Sequence, residues 1–115
     1  MKPNRDILYL IHIRECLERV IAYTTEGWEK FQTDPMTQDA VLRNLQIMGE
    51  STQRLSASIK AGQPEVDWQD IAAFRNTLVH DYLDLKLKRI WQVIQDDLPA
   101  FKLQIDAMLQ GLNIT

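Results

Sequence analysis

The stretch from Asp34 to Ile59 constrains this chain more than any other. Asp34-Pro35 is a helix start: a short acidic side chain can satisfy the first free N–H groups, and proline suits a first helical position that needs no N–H. Behind it Val41, Leu45, Met48, Thr52, Leu55 and Ile59 recur in alternating steps of four and three, a seven-residue rhythm that places them on one stripe. Such a stripe is buried by packing against other helices. Gly62-Gln63-Pro64 is expected to stop this helix. With four glycines and four prolines in 115 residues, turn material for many short strands is lacking.

The rest of the chain reads the same way. From about Asp6 to Thr25, helical spacing picks out Ile7, Leu10, Ile13 or Arg14, Leu17 and Val20 or Ile21, and Gly27 loosens the end. A third helix is expected after Asp67, with Trp68, Ile71, Ala72, Leu78 and Val79. Asp84 is placed to cap a fourth, which buries Leu87, Ile90, Trp91 and Ile94. Asp97-Leu98-Pro99 resets the chain for a last helix with Phe101, Leu103, Ile105 and Met108 or Leu109; proline there fits either two helices or one kinked rod. The expected fold class is all-α, an antiparallel bundle of four to five helices in one domain over residues 1–115.

Charge narrows the partners. A formal net charge of −3 argues against a protein that coats nucleic acid non-specifically, so any RNA contact must be confined to a small basic site. The single cysteine, Cys16, has no internal partner, and no nearby group points to a nucleophile role. No apolar signal stretch opens the chain, and no run approaches the ~18 residues of a membrane span. A cytoplasmic setting without membrane contact is expected.

One segment departs from plain packing. "AAFRNTLVHDYLDLKLKR" sets Arg75, Asn76, His80 and Tyr82 within eight residues that otherwise look like core. Asn76 and His80, four apart, share a face, and Arg75 returns to nearly the face of Tyr82 seven residues later. Arg75 and His80 differ by about 140° on a straight helix, so either the helix frays near His80 or a second copy of the segment completes the site. Arg75 also falls on the stripe of Trp68, Ile71 and Leu78. A guanidinium there needs a partner, either a carboxylate such as Glu50 or an anionic ligand. An imidazole titrating near neutrality can serve as base or acid, and a guanidinium fork suits phosphate. Together they supply what cleavage of RNA by its own 2′-hydroxyl requires, with no metal. Lys86, Lys88 and Arg89 could guide a phosphate backbone. The plainer alternatives stay open: an interhelical ion pair for Arg75, a structural role for His80 and His12, a core position for Tyr82, a solvated face at 86–89, and core or interface anchors for Trp28, Trp68 and Trp91.

"RNTLVHDY" resembles the signature of the HEPN family, and specifically its HepT-like branch: Arg75, Asn76, His80 and Tyr82 match Arg, a polar residue often Asn, then His, then Tyr two residues on. The likeness runs from roughly Asp6 to Leu109 and includes Arg43-Asn44 and Gly49-Glu50 in the second helix; Phe74 and Leu83 depart from a frequent methionine and a frequent aromatic. The resemblance implies a dimeric ribonuclease toxin with Arg75 and His80 as catalytic residues, Asn76 and Asp81 in support, and no cofactor. It also implies a partner, an MntA-like nucleotidyltransferase antitoxin that transfers AMP from ATP onto Tyr82. A second reading is a non-catalytic helical subunit that binds nucleotide or substrate and docks the nucleotidyltransferase.

Overall fold

The computed structural model of the chain describes residues 5–80 and 85–112. Among them are seven helices and no strand: α1 (Arg5–Tyr23), α2 (Trp28–Thr33), α3 (Pro35–Gln53), α4 (Ala57–Ala61), α5 (Trp68–His80), α6 (Leu87–Asp96) and α7 (Leu98–Gly111). The all-α bundle expected from the spacing is what the chain forms.

The α3 start is built as its sequence suggests. The Asp34 carboxylate accepts the Met36 N–H at 3.1 Å and the Thr37 hydroxyl at 2.8 Å, and Pro35 occupies the first turn. Just upstream sits α2, a short helix that the apolar spacing did not single out. Gly27 precedes it at φ +90°, a conformation that disfavours residues with a Cβ. The Gln38 amide donates to the carbonyls of Phe31 (2.9 Å) and Gln32 (3.1 Å), satisfying groups left free where α2 ends. Phe31 is fully buried and meets the rings of Trp28 and Trp91, which makes these two tryptophans anchors of the core.

The core lies between α1, α3 and α7. Of the alternatives on α1, Ile13 and Val20 turn inward beside Leu10 and Leu17, while Ile21 is exposed. They meet Val41, Leu45 and Met48 of α3 and Ile105, Met108 and Leu109 of α7 in one apolar cluster. Each such side chain contributes about 1.5–3 kcal/mol through burial. Thr52 lies in the stripe as expected and satisfies its hydroxyl on the Met48 carbonyl at 2.8 Å.

Several boundaries differ from expectation. The α3 stripe is not one rod to Ile59: α3 stops at Gln53, and Ile59 belongs to the separate helix α4. Ser56 starts α4 by accepting the Ile59 N–H at 3.3 Å. The Asp6 carboxylate of α1 holds it in place, accepting the Ser56 N–H (2.8 Å) and hydroxyl (2.6 Å). Asp84 lies outside the described residues, and the residue at the start of α6 is Lys86, with no side-chain cap. At Asp97 the rod breaks into two helices, since Pro99 has no N–H to continue the ladder. Leu103 (72% exposed) and Val79 (38% exposed) face outward instead of joining the core, while Val93 of α6 is buried.

Candidate functional site at the α3–α5 contact

The start of α5 is set by Asp67, whose carboxylate accepts the Asp70 N–H at 3.0 Å. The Trp68 indole N–H then donates to the carbonyls of Lys60 (3.1 Å) and Gln63 (3.2 Å), tying the helix to the end of α4. Leu78 is the one fully packed residue of α5; Ile71 and Phe74 are only partly covered. This helix rests on α3, meets Phe101 of α7 through the Trp68 ring, and leaves Asn76, Val79 and His80 exposed.

Glycine 49 makes that contact close. A Cβ built on Gly49 would stand 2.5 Å from Arg75 Cβ and 2.6 Å from Arg75 Cγ, so only glycine lets the stem of Arg75 lie on the α3 backbone. From there the guanidinium reaches the next residue of α3. Its Nη2 donates to Glu50 Oε2 at 2.7 Å, and its Nη1 donates to Asn76 Oδ1 at 3.2 Å. Arg75 Nε is buried with no hydrogen-bond partner among the described residues. Glu50 uses its other oxygen to accept Arg54 Nη2 at 3.2 Å. Hydrogen bonding to Tyr9 and then to Glu50 holds the Arg54 guanidinium above its ordinary pKa. Glu50 is thus the carboxylate partner that the guanidinium on the apolar stripe required.

His80 is the last residue of α5, and the helix stays regular up to it, so the chain does not fray ahead of the imidazole. Along such a helix Arg75 and His80 stand about 140° and 7–8 Å of rise apart, and they do not meet within one chain. Asn76 and His80 are both exposed. The Gln46 amide donates to the Leu78 carbonyl at 3.1 Å, fixing the end of α5 just before His80. Asp81 and Tyr82 lie outside the described residues. Lys86, Lys88 and Arg89 are exposed at the start of α6, and no described ion pair or hydrogen bond joins them to Arg75 or His80.

Three contributors escaped sequence reasoning: Gln46, the close approach at Gly49, and Arg54. A signal existed, since Gln46, Gly49, Glu50 and Gln53 form a second helical stripe on α3, and Arg54 follows Glu50 by four. That stripe is polar, and a search for apolar periodicity passes over it. Elsewhere, His12 is an exposed residue of α1. Cys16 is buried, and burial pushes its thiol pKa up, which keeps it protonated and unreactive.

A groove of about 540 Å³ between α5 and the α6–α7 pair excludes Arg75 and His80 from its lining. Among its described lining residues Glu65, Asp67, Asp70, Asp96 and Asp97 face Arg89 as the single cation, so its charge repels a phosphate backbone. The polar cluster on α3 and α5, not this groove, is the candidate site.

A small helical bundle with an Arg-Asn-x3-His helix seated on a Gly-Glu pair defines a recognisable class. The family model described as ribonuclease HepT-like matches residues 13–108. A protein of Thermococcus cleftensis named "Probable ribonuclease HepT" is 34% identical over 95 residues, covering 82% of this chain and 86% of that protein. One of Caldanaerobacter subterraneus named "Putative RNase TTE0752" is 33% identical over 114 residues, covering 96% and 97%. No solved structure matches. The chain belongs to the HepT-like ribonuclease family, the HEPN branch its signature resembles.

Proposed function

We propose that this protein is a metal-independent endoribonuclease, acting as a homodimer in which Arg75 and His80 of both copies line one cleft. The observation that carries this reading is the placement of the two side chains. Arg75 is fixed against α3 and His80 ends the same regular helix about 140° away, so a second copy is the direct way to bring a guanidinium and an imidazole to one phosphate. The sparsely buried α5 supplies a face for that copy. In the cleft one imidazole removes the proton of the 2′-hydroxyl, which attacks the adjacent phosphorus. The second protonates the leaving 5′-oxygen, while the guanidinium groups stabilise the charge on the phosphorane. The products are a 2′,3′-cyclic phosphate and a free 5′-hydroxyl. Asn76 supports Arg75 through its Oδ1 contact, and Asp81 is assigned no chemical step. Lys86 and Lys88 steer the strand.

The resemblance to the HepT-like branch supports a further layer. The protein is a toxin of a type VII-like toxin–antitoxin pair, and an MntA-like nucleotidyltransferase silences it by placing AMP on Tyr82. AMP brings negative charge and bulk to a cleft that must receive phosphate.

The test is incubation of the purified protein with end-labelled tRNA and mRNA in EDTA beside His80→Ala. Wild type is expected to cut and leave cyclic phosphate ends, and His80→Ala to lose the activity by about 10²-fold or more. Equal cleavage by both proteins, or none by wild type, would turn the assignment to the nucleotide- or substrate-binding subunit.

A further inference from the structure

Arg75 serves a phosphate only if its guanidinium is both aimed and cationic, and a simple ion pair with Glu50 meets one need at the expense of the other. The local charges reconcile them. Glu50 takes Arg75 Nη2 on one oxygen at 2.7 Å and Arg54 Nη2 on the other at 3.2 Å, so two guanidinium groups share one carboxylate and the cluster is net cationic. With each oxygen claimed by a different arginine, the carboxylate is held on both sides. The stem of Arg75 has no freedom to retreat, because it lies on the backbone of Gly49. Its Nη1 is held by Asn76.

We propose that Glu50 is the positioning residue of the site, aiming Arg75 at the scissile phosphate, and that Arg54 anchors Glu50 and keeps the cluster cationic. The proposal deepens the ribonuclease reading and rests on it. A structural role alone would have little effect: the Glu50 and Arg54 side chains are 42% and 57% exposed, and exposed ion pairs add about 0–1 kcal/mol to stability.

The two residues carry different kinetic signatures. Glu50→Ala frees the guanidinium and is expected to lower kcat by about 10- to 100-fold, the effect of a misaimed group, with KM little changed. Glu50→Gln keeps one oxygen acceptor and is expected to recover part of that loss. Arg54→Ala leaves a neutral Arg75–Glu50 pair with its carboxylate held on one side only, so KM rises and kcat falls less than in Glu50→Ala. The salt dependence of binding then flattens by about 0.7 per cation lost, as for single-stranded nucleic acid.

The experiment measures cleavage of a single-stranded RNA by the full chain and these three variants, with thermal melts of each. An ¹⁵N NMR spectrum of the Arg75 Nε–H group follows the side chain directly; because Nε is buried in wild type, its proton is expected to exchange more slowly there than in Glu50→Ala. Support consists of the kcat loss in Glu50→Ala, its partial rescue by glutamine and the KM effect of Arg54→Ala, at unchanged melting temperature. Wild-type kinetics in Glu50→Ala, losses that merely track melting temperature, or an unchanged Nε–H exchange would each overturn the proposal. A wild type that cuts no RNA is a separate result: it removes the ribonuclease reading and this role together, whatever the NMR shows about the side chain.

Discussion

At the residue scale, Gly49 shows how much can depend on an atom that is missing. Arg75 occupies the place a side chain at 49 would need, and the obstructing atoms are its Cβ and Cγ, which cannot swing aside like a flexible tip. Gly49→Ala must push α5 away from α3. We expect a loss of about 1–3 kcal/mol, typical of overpacking, readable as a lowered denaturant midpoint. Cleavage should fall further than stability, because the same shift breaks the 2.7 Å contact between Arg75 and Glu50. A variant as stable and active as wild type would show that the close approach is dispensable. The Gly49-Glu50 pair was legible in the sequence as part of a family likeness, and Glu50 as a candidate partner for Arg75. Why glycine stands there was not, since steric need at a helix crossing depends on the second helix.

At the element scale, the start of α3 is the best-specified feature of the chain and carries a pH dependence. Hydrogen bonding from the Thr37 hydroxyl, then from Lys30, holds the Asp34 carboxyl pKa below its ordinary value. A depressed folded-state pKa stabilises the native state fully above the unfolded-state pKa, and that contribution is lost as pH falls through the folded one. Thermal melts from neutral pH down to the acid range should therefore lose stability less steeply in Asp34→Asn, which keeps an acceptor for the cap without the charge. Parallel curves for the two proteins would contradict the assignment. Helix existence was readable for all five longer elements because capping and spacing are local. The ends were less so. Leu55 and Ile59 kept the rhythm of α3 in the sequence, yet Ser56, held by Asp6 fifty residues away, breaks the rod and starts α4. A contact across that separation leaves no local trace.

At the scale of the whole molecule, α5 packs on α3 and keeps Asn76, Val79 and His80 exposed toward its C-terminal end. If two copies share one cleft, a mixture of Arg75→Ala and His80→Ala chains should regain cleavage that neither shows alone. A mixed dimer still brings one guanidinium and one imidazole, from different chains, to the phosphate, with water in place of the second imidazole. Equal parts of the two, unfolded and refolded together, should exceed either pure variant by at least about tenfold, given how much each group contributes. No recovery, despite a mass in solution of twice 13.4 kDa, would mean that one guanidinium and one imidazole from different chains do not make a working site.

The helical class, the start of α3 and the placing of Arg75, Asn76 and His80 on one helix follow from the order of residues alone, because capping, turn chemistry and a seven-residue rhythm act within a few positions of one another. Tertiary structure decided which of two neighbouring apolar residues turned inward, where the α3 rod broke, and which way Arg75 was aimed. Each of these depends on a helix brought alongside from distant sequence: α1 beneath Ser56, and the Gly49 backbone and Glu50 carboxylate beneath Arg75. Burial and ion pairing join surfaces, and surfaces exist only after the chain has folded.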